Sequence, residues 1–102
     1  MSRPVTRFLD AVVTTWETVS AASASACQST LKRADDDSKL TIDIQTPQFT
    51  ACISAWEQAY CLDITLFERA TGSGAELSAG ECTSLEQMQE RITLLCEMLA
   101  VK

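Results

Sequence analysis

Histidine is absent from all 102 residues, which removes the commonest general base and metal ligand. The three glycines, Gly72, Gly74 and Gly80, do not fall in a phosphate-cradling pattern. No serine or cysteine stands in a recognisable nucleophile motif. The five cysteines, Cys27, Cys52, Cys61, Cys82 and Cys96, contain no C-x-x-C, and their odd number and irregular spacing argue against a disulfide framework or a zinc site. No apolar run approaches the ~20 residues needed to span a bilayer. Arg3 and Arg7 precede an apolar run that Asp10 breaks, so a signal peptide is not expected. The two tryptophans are followed by Glu-Thr and Glu-Gln, so the W-x-G of the helix-hairpin secretion proteins is missing. These absences favour a non-enzymatic protein without metal or cofactor.

Bases are also few. Eight Lys and Arg stand against 14 Asp and Glu, a net charge of −6. Residues 1–33 carry +2 and the remainder −8. An acidic surface repels phosphate backbones and anionic headgroups, so nucleic acid and membrane are poor partners and a basic protein surface a better one. Reduced thiols behave as small buried hydrophobes, and together with the missing leader they place the protein in the reducing cytoplasm. A hydrophobic fraction of 46% with 22% charged residues is ordinary for a globular chain and argues against disorder. At this length the chain is expected to form one domain spanning 1–102.

The aromatics are 6% of the chain and crowd into its first two-thirds. Phe49, Ile53, Trp56, Tyr60, Ile64 and Phe67 recur at steps of three and four, which predicts one side of a helix over 47–71. Thr46 and Pro47 suit its N-cap and first turn, and Gly72 and Gly74 its end. Leu9, Val12, Trp16 and Val19 continue with Ser23, Ala26 and Thr30 in a stripe that thins to small residues, predicting a helix over about 4–31 begun by Ser2 and Pro4. Leu85, Met88, Ile92, Leu95 and Leu99 form the cleanest stripe, over 84–101. Ser84 with Gln87, or Thr83 with Glu86, matches a capping box, and Glu86, Glu90 and Glu97 fall on the opposite face.

The polar stretch 33–39 carries Asp35 to Asp37 and lacks the spacing of a calcium loop. Leu40-Thr41-Ile42-Asp43-Ile44 alternates strictly, a strand signal with no evident partner strand. It is an extended segment across the helices, an early turn of the next helix, or an edge that pairs with another chain. The expected fold is therefore all-α, an antiparallel bundle of three main helices with one short extended segment.

Leu62, Leu66 and Ala70 add apolar surface beyond the main stripe of the central helix, which suggests a homodimer or a partner face. The expected function is a non-enzymatic protein-interaction module, such as a small cytosolic chaperone, adaptor or regulator holding a partner's hydrophobic segment. Its candidate partner-binding residues are Trp56, Tyr60, Leu62, Asp63, Leu66 and Phe67, since aromatic clusters beside a charge are the usual make-up of binding hot spots. The alternatives are an acidic inhibitor or immunity-type protein covering a basic surface through Asp35 to Asp37, Glu86, Glu90 and Glu97, and a structural subunit of a larger assembly.

Overall fold

The computed structural model describes residues 8–22, 28–36 and 38–99. The expected helix start at Ser2 and Pro4, residues 23–26 of the small-residue stripe, Cys27 and Asp37 lie outside them. The chain runs as α1 (Phe8–Ala22), β1 (Gln28–Arg33), β2 (Lys39–Gln45), β3 (Phe49–Trp56), β4 (Cys61–Glu68), β5 (Gly74–Ser78) and α2 (Leu85–Leu99), with a 3-10 turn at Gln58–Tyr60. The strands form one antiparallel five-stranded sheet in sequence order. The fold is thus mixed α+β, and the expected all-α helical bundle is incorrect. The helix expected over 84–101 is present as α2, the one expected over 4–31 is present in α1 but has its residues 28–31 in β1, and that over 47–71 is two strands and a turn.

Local chemistry explains each departure. Thr46 does accept hydrogen bonds as an N-cap would, from the Phe49 N–H at 2.9 Å and the Gln48 N–H at 3.3 Å. The Thr46 N–H, however, donates to the Phe49 carbonyl at 2.8 Å. Pro47 therefore occupies a hairpin turn between β2 and β3, a position its fixed φ suits equally well. Leu40–Ile44 lies within β2, paired on one side with β1 and on the other with β3. An inner strand has no free edge, so this segment cannot dock another chain by strand pairing. The loop at 33–39 is a hairpin turn whose Asp36 accepts from the Ser38 N–H at 3.1 Å and the Ser38 hydroxyl at 2.6 Å.

Strand alternation divides the sheet into two faces. Leu40, Ile42 and Ile44 from β2, Ala51, Ile53 and Ala55 from β3, and Leu62, Ile64 and Leu66 from β4 are all buried. They join Phe8, Leu9, Val12 and Trp16 of α1 and Met88, Ile92, Leu95, Cys96 and Leu99 of α2 in one core. The two helices pack on each other, α1 over β3 and α2 over β4 and β5. The small Ala51 and Ala55 lie on the strand that receives the bulky stripe of α1, so large and small side chains complement each other. Each fully buried Leu or Ile contributes roughly 1.5–3 kcal/mol.

Candidate functional site

One side of the sheet is covered by helices; among the described residues, nothing covers the other. On this open face the register aligns side chains in transverse rows. Lys39, Trp56 and Cys61 make one row, Lys32, Thr41, Ser54 and Asp63 the next. Thr30, Asp43, Cys52, Thr65 and Glu76 follow, then Gln28, Gln45, Thr50, Phe67 and Gly74. Small hydroxyl and thiol side chains thus share the middle with Lys32, Asp43, Asp63 and Glu76, with an aromatic towards each end. Trp56 and Phe67 are separated by about 20 Å, six residues of strand rise.

The aromatic positions are held differently. The Lys39 ammonium lies 5.0 Å from the centre of the half-buried Trp56 ring, a cation–π contact. Phe67 is 46% exposed, and its ring lies against Gly74, where a Cβ would collide with it. A shallow depression of about 470 Å³ adjoins Phe67 and reaches Thr50, Cys52, Asp43 and Thr30. Asp63 accepts a hydrogen bond from the Gly80 N–H at 3.1 Å, which ties the segment after β5 back to β4.

The six candidate residues therefore do not share a surface. Trp56, Asp63 and Phe67 point to the open face. Leu62 and Leu66 point the other way and are 0% and 5% exposed in the core, so they contact no partner while the sheet is intact. Tyr60 sits in the turn between β3 and β4, stacked on Phe8 with ring centroids 4.9 Å apart and planes 9° from parallel. Helical spacing put Trp56, Tyr60 and Phe67 on the main stripe with Leu62 and Leu66 as added apolar surface beside it, whereas strand alternation sends those two leucines into the core. Cys52, Thr65 and Thr50 belong to the open face and were missed; the alternation of polar residues with Ala51, Ile53 and Ala55 was the available signal.

Burial pushes the Cys52 thiol up from its ordinary value; the Ser54 hydroxyl 3.7 Å away opposes this and the facing Asp43 carboxylate reinforces it. Burial also raises the Cys82 thiol, with the Arg91 guanidinium 3.6 Å away working against it. A protonated thiol is a poor nucleophile and a poor metal ligand. Among the described residues no group of three or more His, Cys, Asp or Glu is placed to hold a metal ion, and no helix is long and apolar enough to cross a membrane. No family model matches the chain, and no curated protein or solved structure matches it either.

Proposed function

We propose that the protein is a non-enzymatic interaction module that binds a protein segment on the open face of its sheet. The observation that carries this reading is the pairing of an exposed Phe67 beside a depression with Trp56 and Asp63 on the same uncovered face. Aromatic side chains held in place supply much contact area at little entropic cost, and they dominate binding energetics wherever they occur in interfaces. The partner segment would seat an apolar side chain against Phe67 and hydrogen-bond to the surrounding hydroxyls. The free thiols Cys52, Cys61 and Cys82 support a reducing, cytoplasmic setting.

A second reading draws on α2. Leu94, 45% exposed, stands among the exposed Glu86, Glu90 and Glu97, a surface that would suit a basic partner. The two readings part in one experiment. The tagged chain is recovered from its native cells under low- and high-salt washes, alongside Phe67→Ser and Glu90→Lys variants. The open-face reading expects a partner that survives high salt and disappears with Phe67→Ser. Loss at high salt together with loss in Glu90→Lys would favour the acidic helix, because screening weakens charge pairs far more than apolar contact.

A further inference from the structure

The two edges of the sheet are built differently. At β5 the edge is short, begins at Gly74, and lies next to a register shift between Ile64 and Thr65. Such bulges and short strands blunt an edge against further pairing. At β1 the edge has neither device: Gln28 to Arg33 pair with β2 in an unbroken register and contain neither glycine nor proline. The Ala34 N–H donates to the Lys39 carbonyl at 2.9 Å. By the alternation of antiparallel ladders, the amides of Lys32, Thr30 and Gln28 also face β2, and those of Ser29, Leu31 and Arg33 face outward.

A groove of about 450 Å³ runs beside this edge on the helix side, lined by the apolar Val13, Trp16, Ala21 and Leu31 and the polar Glu17, Ser20 and Ser29. Leu31 is 43% exposed in it. The Trp16 indole N–H donates to the Ser29 hydroxyl at 3.4 Å, and Arg33 pairs with Asp10 at 2.8 Å, so α1 holds β1 from its inner side; among the described residues, no strand pairs with its outer edge.

We propose that β1 pairs antiparallel with β1 of a second copy, centred on Leu31, joining two sheets into one. The strand is complementary to itself in that register. Leu31 meets Leu31 of the second copy beside the Val13 and Trp16 side of the groove, Arg33 faces Ser29, and Lys32 faces Thr30. No base is set opposite a base, which would be destabilising. Each outward amide finds a carbonyl, and the helices of both copies remain on the same side. A centre on Thr30 would instead leave Leu31 facing Ser29. This edge is separate from the open-face surface proposed above and does not depend on it.

The test is sedimentation of the chain over a range of concentrations, with three variants. Leu31→Pro removes an outward amide while sparing the β1–β2 ladder, and should yield a folded monomer by circular dichroism. Thr30→Glu places an acid opposite Lys32 of the second copy, and Thr30→Lys places a base there. The pair decides the matter even if Leu31→Pro does not fold. Two symmetry-related pairs of this kind should tighten the dimer by between about twofold and thirtyfold with Thr30→Glu and loosen it comparably with Thr30→Lys. Asp43 faces position 30 within each copy, so its repulsion or attraction acts on folding and is present in monomer and dimer alike. A wild-type chain that stays monomeric at every concentration, or a dimer that responds to neither Thr30 variant, would overturn the proposal. Weakening by Thr30→Glu would overturn the register.

Discussion

Glu57 is the residue on which the packing of α1 most visibly depends. Its carboxylate accepts the Phe8 N–H at 2.9 Å and the Leu9 N–H at 3.3 Å. These amides open the helix and have no partner within it. A residue in the β3–β4 connection therefore caps a helix 48 or 49 positions earlier in the chain, and the negative charge also suits the helix N-terminus. Three residues later Tyr60 takes φ 51°, a left-handed conformation that costs a non-glycine residue about 1–2 kcal/mol. Its stack on Phe8 offsets part of that. Glu57→Ala should destabilise the fold by about 1–2 kcal/mol, and Glu57→Gln by less, since an amide oxygen still accepts. Urea unfolding measures both; equal stability in all three proteins would show that the cap contributes nothing.

Ser78 is a second such residue, buried at the end of β5. It donates to the Leu62 carbonyl at 2.9 Å and accepts from Arg91 at 2.8 Å, so it links β4, β5 and α2. Ser78→Ala leaves two polar groups short of a partner and should cost about 1–3 kcal/mol. Ser78→Thr, which keeps the hydroxyl, should recover part of the loss in the same urea measurement. Cys52, although only half-buried, should react with a thiol reagent at neutral pH more slowly than a solvent-exposed thiol does, because burial holds it protonated. Modification as rapid as that of free cysteine would contradict the raised pKa.

At the scale of elements, Gly74 and Phe67 form one unit across the β4–β5 pair. Gly74→Ala would push a methyl group into the Phe67 ring. The expected result is a destabilisation of about 1 kcal/mol, instead of the small gain that replacing glycine brings where there is room. A crystal structure of the variant should show the ring swung away from β5; an unmoved ring and a gain in stability would show that the contact is loose. Of the elements themselves, α2 was legible because its stripe and its cap agree. The Ser84 hydroxyl accepts the Gln87 N–H at 3.1 Å, and the Gln87 side chain returns to the Thr83 N–H at 2.7 Å. β2 was legible from strict alternation, but its partners were not. β1 carries a single large apolar residue, Leu31, and so has no periodicity to detect. In β3 and β4 the aromatics happen to recur at helical steps, and the turn between them, Glu57 to Tyr60, contains neither glycine nor proline. Tyr60 adopts the positive φ itself, leaving no punctuation to read.

Across the whole molecule, the helices bury their apolar faces on one side of the sheet and leave the other to Trp56, Phe67 and a mixture of hydroxyl and charged side chains. A solvent-facing sheet surface is ordinary in an antiparallel sheet; the exposed aromatic beside a depression is what singles this one out. The candidate residues were legible as a cluster of aromatics and a carboxylate, yet their division between core and surface depends on strand alternation, so helical spacing, which set Leu62 and Leu66 beside the Phe67 stripe, could not show that the leucines are core and Phe67 surface. The proposed function requires a partner to sit on the open face. The most direct measurement is amide hydrogen exchange of the chain alone and with the partner that high-salt capture retains. Slower exchange confined to β3 and β4, with α2 unchanged, is the predicted result. Protection that appears along α2 and spares the sheet would contradict it.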